Sequence, residues 1–201
     1  ISSSDSCYVI FLGQALQTVV PDANTITNAM IQDGTIAESK LASGVNTITM
    51  ADMFRLTANT NESTNGVVGT NWERVDTADF SKIGTGLTES SGIFSFPETG
   101  IYYINFIPRF IIVAGDTTAA MELYTTNDNS SYTRASSAVA GNPDGTNTAG
   151  FSASASFIFD VQNTSNYKFK FETSTFSSGT KLTGDTAFNR THFAVIRLGD
   201  T

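Results

Sequence analysis

The stretch Phe94-Ser-Phe-Pro-Glu-Thr-Gly-Ile-Tyr-Tyr-Ile-Asn-Phe106 decides the fold of this chain. Its second half has the period of two that places alternate side chains on opposite faces of a β-strand. Both faces are apolar, with Tyr102, Ile104 and Phe106 on one and Ile101 and Tyr103 on the other. A single sandwich buries one face of each sheet, so a strand that is apolar on both faces predicts contact with a second copy of the chain.

The same alternation continues along the chain, between turns rich in Gly, Asn, Asp and Ser. Phe157, Phe159 and Val161 share one face of a predicted strand, as do Phe169 and Phe171 in the next. This pattern predicts an all-β jelly-roll sandwich. The strands are expected at 54–58, 72–75, 92–96, 100–114, 119–126, 131–139, 150–161, 167–174 and 188–198.

The first part of the chain reads differently. Residues 7–12 and 15–20 predict a hairpin around Gly13-Gln14. An isolated hairpin is marginally stable, so it is expected to complete an upstream module of a longer protein. The predicted organisation is 1–21 as the end of that module, 22–48 as a shaft repeat or linker, and 49–201 as the jelly-roll head.

A ten-residue near-repeat lies in the predicted shaft, where Thr25-Ile26 matches Thr35-Ile36 and Ile31 matches Leu41. Thr35 and Glu38 have capping-box spacing, which predicts a short helical turn over 36–42. So short a turn needs partners. We expect Ile26, Ile31, Ile36 and Leu41 to pack against the same residues of neighbouring chains, with a single linker packed on its own head as the alternative.

Composition excludes several functions. The chain of 201 residues has a net charge of −8 and no basic stripe, which argues against nucleic-acid binding. Its apolar runs are too short to insert into a membrane, and residues 1–12 lack the features of a signal peptide. The single cysteine, Cys7, lies in an apolar run, which favours a buried thiol in a protein assembled in a reducing cytoplasm.

No catalytic or metal centre is predicted. One His and one Cys cannot supply a zinc site, and His192 lies within a predicted strand, where a packed or edge histidine is expected rather than a general base. A carboxylate pair of the glycosidase type stays open on the sequence alone, although nothing points to one. No cofactor is expected. Structural calcium stays an alternative to turn formation for the aspartates of the predicted loops: Asp116, Asp128, Asp144 and Asp185.

The stretch from Phe94 to Phe106 resembles the globular head of complement subcomponent q and its tumour-necrosis-factor-like relatives. That pattern has Phe, five residues, Gly, and then alternating aromatics, matched here by Phe94, Gly100, Tyr102 and Phe106, with Ile104 in place of a Phe. Lys82 departs from the Asn or Asp expected upstream. The closing stretch 191–198 resembles the last strand of these heads. The resemblance covers about 50–201 and implies a trimeric jelly roll.

The front of the chain resembles bacteriophage tail-fibre modules. Val9-Ile-Phe-Leu-Gly-Gln-Ala-Leu-Gln17 is similar to their Phe-Leu-Asn-Gly-x-Leu-Gln hairpins, although Gly13-Gln14 replaces the usual Asn-Gly. The repeat over 25–41 is similar to the short shaft repeats that follow such hairpins, with Met30 where Lys is common. The combination resembles tail fibres of marine and cyanobacterial phages. It implies a homotrimer with Tyr102, Ile104 and Phe106 at its core or interface, attached to other virion proteins through its N-terminal side.

Strand alternation also predicts where a ligand would bind. Because antiparallel strands reverse direction, the loops at 115–118, 140–149 and 175–187 are expected together at the tip, away from the shaft. The contacts proposed for a host-surface glycan or protein are Asn142, Asp144, Asn147, Lys181 and Asp185, with Phe176 stacking on a sugar. The alternative is solvated loops with Phe176 turned inward.

Three functions therefore remain open on the sequence. The first is a virion fibre that adsorbs to a host surface. The second is a structural capsid-decorating or head fibre, and the third is a secreted complement-q-like ligand. The shaft repeat favours the first two, which places the protein in the virion, and none of the three requires catalysis.

Overall fold

The computed structural model describes residues 30, 31, 36, 48–60, 65–143, 145–177 and 179–201. The chain divides into two compact units, Ile1–Val45 and Asn46–Thr201. The predicted hairpin at 7–20, with Cys7, Ile26 and Leu41, lies outside the described residues, and so does the predicted turn after Ile36. Ile31 and Ile36 are 39% and 46% exposed, and their packing against neighbouring chains stays a prediction.

Fourteen antiparallel strands make up the described part of the second unit. Within that part, no helix is long and apolar enough to cross a bilayer. The all-β class predicted from the alternation is confirmed. The strands are β1 (Ala51–Leu56), β2 (Gly66–Val67), β3 (Trp72–Arg74), β4 (Thr88–Ser90), β5 (Ile93–Ser95), β6 (Gly100–Ile107), β7 (Arg109–Ile112), β8 (Thr118–Thr126), β9 (Thr133–Gly141), β10 (Ala149–Ser152), β11 (Ala155–Val161), β12 (Lys168–Ser174), β13 (Lys181–Leu182) and β14 (His192–Gly199).

These strands form two large sheets and one small one. The front sheet has the order β11-β6-β14-β1-β3, and the back sheet has the order β4-β5-β12-β8-β9, with β2 also paired to β12. The tip sheet has the order β10-β7-β13. In the front sheet β6, β14 and β1 lie side by side although they are far apart in the sequence, and in the back sheet β12 lies between the hairpins β4-β5 and β8-β9. The sandwich is therefore held by pairings between distant parts of the chain.

Aromatic rings fill the space between the front and back sheets. Phe94 lies at the centre, with its ring centroid 4.7 Å from Phe193, 5.0 Å from Phe169 and 5.7 Å from Trp72. The Trp72 indole N–H donates to the Val68 carbonyl at 2.8 Å, so its polar group is satisfied inside the core. Edge-to-face and offset pairs of this kind add about 0.5–1.5 kcal/mol each beyond the burial of their area.

The two faces of β6 have different surroundings. Tyr102, Ile104 and Phe106 are fully buried against this aromatic core within one chain. These three side chains therefore belong to the core of the single chain, and a role at a trimer interface stays a prediction. Ile101 and Tyr103 point away from the core and are half-buried, so the face available to a second copy is theirs rather than that of the first three side chains.

Two predicted strands are each broken in the structure. The segment 100–114 divides into β6 and β7 at Pro108, which has no N–H to donate to a sheet. The segment 150–161 divides into β10 and β11 beside it, where the Ala153 N–H donates to the Pro108 carbonyl at 3.3 Å. Both segments thus pass between the front sheet and the tip sheet at the same level of the sandwich. A hydrophobicity pattern does not show such a corner because both halves remain apolar.

The hairpin between β4 and β5 has a two-residue turn, Ser91-Gly92. Both residues have positive φ, 53° and 78°, as the mirror-image turns that match strand twist require. A Cβ built on Gly92 would lie 2.3 Å from the Val68 carbonyl oxygen. Glycine is therefore needed here for space as well as for its backbone conformation.

The chain enters and leaves the second unit at the same end. The Arg197 N–H donates to the Met50 carbonyl at 2.9 Å, and its guanidinium reaches Thr49 and Asp200. We call this end the base. The opposite end, which carries the tip sheet, is the tip.

Candidate functional site

The loops that join strands at the tip contact one another. The Gly115 N–H donates to the Gly145 carbonyl at 2.8 Å, and the Asn142 N–H donates to the Thr117 carbonyl at the same distance. The Val113 N–H donates to the Thr180 hydroxyl at 3.2 Å. The three loops that strand alternation assigned to the tip therefore meet there.

Asp116 holds two of these loops together. Its side chain is buried, and its carboxylate accepts hydrogen bonds from the Ser177 N–H at 2.9 Å and from the Ser177 hydroxyl. Burial, the largest single influence, raises the pKa of Asp116, but the hydrogen bonds from Ser177 and Thr180 together outweigh it and lower the pKa below its ordinary value. The sequence analysis placed Asp116 only among possible turn or calcium residues.

The asparagines of the 140–149 loop serve mainly to shape it. Asn142 is 3% exposed, and its Nδ2 donates to the Asn147 carbonyl at 2.9 Å. Asn147 itself is exposed, with Nδ2 donating to the Thr146 hydroxyl at 3.2 Å. Asp144 lies outside the described residues. Of this group, Asn147 has the side chain best placed to meet a ligand.

Phe176 does not face solvent. It is 4% exposed and packs edge-on against Phe110, with ring centroids 6.0 Å apart. The Asn65 side chain holds the Phe176 backbone on both sides, with Oδ1 accepting from its N–H at 2.8 Å and Nδ2 donating to its carbonyl at 3.0 Å. Stacking on a sugar needs an exposed ring, so the inward alternative is the one the structure supports. An apolar side chain at the tip is more stable beneath the loop than in water.

Lys181 and Asp185 lie further along the same connection. Lys181 is half-buried and begins β13, paired opposite Ile111. Asp185 accepts from the Ala187 N–H at 2.9 Å and pairs with Arg190 at 3.2 Å, and these hydrogen bonds hold its pKa below the ordinary value. Asp185 is thus a turn former that still reaches the surface.

The other residues that the sequence offered for catalysis or metal binding make local contacts with the backbone. His192 begins β14, and its Nδ1 lies 3.3 Å from the Arg190 carbonyl. Asp128 accepts from the N–H groups of Ser130 and Ser131 in a tight turn. Among the described residues, no group of three or more His, Cys, Asp or Glu is placed to hold a metal ion.

A second candidate surface is the outward face of the front sheet. Four strands contribute one cross-strand row there, in which Ala51 lies opposite Ile196, Ile196 opposite Tyr103, and Tyr103 opposite Ile158. Ile158 is 59% exposed, and the other three are half-buried. The row is apolar from end to end, which is unusual for a surface that only water covers.

Solved structures resemble this architecture although sequences do not. No protein-family model matches the chain, and no curated protein matches it. The structure of Eiger TNF from S. frugiperda superposes with a TM-score of 0.57 at 11% identity, covering 77% of this chain and 96% of that one. Murine APRIL superposes with a TM-score of 0.55 at 14% identity, covering 74% of this chain and 98% of that one.

The chain therefore has a jelly-roll fold similar to that of these two structures. At these identities the likeness establishes the fold alone. It confirms the jelly-roll sandwich that the stretch around Gly100 predicted.

Proposed function

We propose that this chain is the head of a virion fibre, of the bacteriophage tail-fibre kind, which assembles as a homotrimer and binds a glycan or protein on a host-cell surface without catalysing a reaction. The observation that carries this proposal is the apolar outward face of the front sheet, which supports assembly with further copies. In addition, both ends of the head lie at the base, which supports presentation of the tip to a partner.

The front-sheet row supports a trimer. Ile158, Tyr103 and Ile196 form a continuous apolar strip that a single chain leaves partly exposed. Contact with a second copy would remove this strip from water, at about 25 cal/mol per Å² of apolar area. A stable interface needs about 800 Å² from each partner. Three copies related by one axis would keep their bases together.

The two ends of the head also support a fibre, because Thr49 and Asp200 approach each other at the base through Arg197. On this proposal the base faces the rest of the fibre and the tip points away. The resemblance of 9–17 and 25–41 to tail-fibre modules supports attachment to other virion proteins through the N-terminal side. On this proposal the protein assembles in the host cytoplasm and resides in the virion.

One other function has a specific observation in its favour. The likeness to Eiger TNF and murine APRIL is compatible with a secreted ligand of the complement-q or TNF-like kind. A capsid-decorating fibre without a receptor role uses the same trimer and the same base. Immunogold labelling of intact virions with antibody to the head separates the three, since it marks the tail, the capsid or neither.

Adsorption is tested with the purified full chain. Light scattering should give three times the chain mass, and the labelled trimer should bind cells within a panel of marine and cyanobacterial strains. Shortening the loops 140–149 and 175–187 should reduce cell binding while the trimer persists. Binding that is unchanged in both loop variants would remove the tip from the proposal, and a stable monomer at micromolar concentration would contradict the assembly.

A further inference from the structure

A groove of about 680 Å³ opens on the outward face of the back sheet, towards the tip. Strand β8 forms its floor, β9 one wall and the end of β12 the other, with Ala120, Glu122, Arg134, Ser137, Val139 and Ser174 among the lining residues. The groove lies on the side of the sandwich opposite the front-sheet row. A trimer formed through the front sheet therefore leaves it open to solvent.

Glu122 provides a charged floor. Its side chain is 7% exposed, and Oε1 accepts from Arg134 Nη1 at 2.7 Å. The Tyr124 hydroxyl contacts Oε2 at 3.3 Å. A carboxylate has about four lone-pair positions, so Glu122 retains capacity for hydroxyl donors that enter the groove. Hydrogen bonds to an ionised acceptor are roughly twice as strong as neutral ones.

A second carboxylate stands directly across the sheet. Glu172 on β12 is in register with Glu122 on β8, an arrangement of like charges that destabilises an antiparallel pair. Lys170 pairs with Glu172 at 2.7 Å, and its ammonium lies 4.3 Å from the centroid of the Tyr132 ring. Two adjacent carboxylates, each paired with its own cation, are thus built into a sheet face. Uncharged side chains would cost less there, and departures of this kind are expected where a surface binds something.

The end of the groove nearest the tip is also held in an unfavourable conformation. Thr175 has φ of 64°, in the left-handed region that a β-branched residue rarely adopts. Its hydroxyl donates to the Ser174 carbonyl at 2.6 Å and lies 3.3 Å from the Thr118 carbonyl on β8. The end wall therefore lies against the start of β8.

The lining selects a class of ligand. Glu122 and Arg134 supply an acceptor and a planar set of donors side by side, the combination that vicinal hydroxyl groups satisfy. Val139, which is 53% exposed, supplies apolar surface for the C–H face of a pyranose. The carboxylate floor and the net charge of −8 oppose a polyanion.

We propose that this groove is a binding site for a neutral saccharide on the flank of the head. The inference rests on the proposed adsorption function and names its ligand class. It places recognition on β8, β9 and β12 rather than on the tip loops alone. Three such grooves in a trimer, and several fibres in a virion, would multiply a weak single-site affinity.

The test uses the full chain and neutral hexasaccharides of glucose, mannose and galactose, with a sulfated heparin hexasaccharide as the charged probe. Saturation-transfer NMR detects binding, and calorimetry measures Kd. Two variants address the groove: Ser137→Trp fills it, and Glu122→Gln removes the charge while keeping the shape. Ser165→Trp is the matched control, because Ser165 is also an exposed serine but lies in a turn at the base.

At least one neutral probe should bind, and both groove variants should weaken it about tenfold or more, with Ser165→Trp unchanged and all proteins of equal mass by light scattering. If a neutral saccharide still binds to both groove variants, the groove is not its binding site. If only the sulfated probe binds, the proposed ligand class is wrong. No binding of any probe would overturn the saccharide proposal, and if the same protein still adsorbs to cells, the adsorption function stands without it.

Discussion

Tyr103 on β6 and Ile158 on β11 lie directly opposite each other on the outward face of the front sheet. Both side chains point away from the core, and Ile158 is 59% exposed. In the proposed trimer this pair is covered by a second copy. The pair therefore gives a direct way to separate folding of the chain from its assembly.

Ile158→Lys should dissociate the trimer without unfolding the chain. An ammonium in an apolar interface costs several kcal/mol unless it is paired, whereas the same group on a single chain remains in water. Light scattering at micromolar concentration should fall to the monomer mass while the circular dichroism of the strands is retained. Val67→Lys is the control, since Val67 is 45% exposed on the back sheet and its replacement should leave the trimer intact. A trimer that persists in Ile158→Lys would place the interface elsewhere.

Asp116→Ala should loosen the tip. The Ser177 N–H and the hydroxyls of Ser177 and Thr180 lose a buried acceptor, at a cost of about 1–3 kcal/mol. Hydrogen exchange over 175–180 should speed up, and thermal unfolding should shift down. Asp160→Asn, at an exposed position on β11, should leave both unchanged. Equal exchange in the Asp116 variant and the wild type would contradict the bridging role.

The same carboxylate predicts an acid dependence. Because the pKa of Asp116 is lower in the folded protein than in the unfolded chain, its contribution is complete above the unfolded pKa and is lost as the pH falls through the folded one. The difference in unfolding free energy between wild type and Asp116→Asn should therefore be constant near neutral pH and shrink below about pH 4. A difference that stays constant into strong acid would rule out this linkage.

Removing the acidic partners of Arg55 should lower the unfolding free energy more than replacing Arg55 itself. It is 1% exposed on β1, and Nη2 pairs with Glu73 at 2.7 Å and with Asp76. Among the described residues, no acceptor reaches its Nη1. Removing both carboxylates in a Glu73→Ala, Asp76→Ala double variant leaves a buried unpaired charge and should cost about 3–5 kcal/mol. Arg55→Met should cost much less, since both carboxylates can be hydrated. Urea unfolding compares them, and equal losses would contradict the argument.

Tyr102 should make the protein sensitive to alkali. Burial, with a smaller effect from Glu98, raises the pKa of its phenol to about 12, and the hydroxyl donates to the Glu98 carbonyl at 2.8 Å. A raised pKa means that stability is complete below the unfolded value near 10 and is lost as the pH rises through about 12. Tyr102→Phe should flatten this loss in unfolding curves across that range, and Tyr167→Phe should not. A parallel loss in Tyr102→Phe would assign the effect to other groups.

Much of the fold was predictable because it rests on local patterns. The alternation in β6 and β12 identified Tyr102, Ile104, Phe106, Phe169 and Phe171 as core residues, and all five are fully buried. The alternation of strand direction also predicted correctly which loops lie together at the tip. The break at Pro108 was missed, since the residues on both sides of it stay apolar and only the change of sheet separates them.

The candidate site was predictable only in part. Loop composition selected Asn142 and Phe176 as ligand contacts, yet both are buried. Phe176 lies against Phe110 and is held by Asn65, both far away in the sequence, and Asn142 bonds to Thr117 and Asn147. Polar groups of loops at the end of a sandwich hydrogen-bond first to one another. A sequence does not show which of these groups stay available for a ligand.

By itself, the sequence determined the strands, the buried face of each and the jelly-roll class, because alternation is a relation between neighbours and hydrophobic burial acts on it directly. Only the tertiary structure decided that Glu122 faces Glu172, that Asp116 holds Ser177, and that Ile158 completes an apolar row with Tyr103. Each of these depends on the register between strands or loops far apart in the chain. That register is set by the packing of the whole sandwich, so no local pattern contains it.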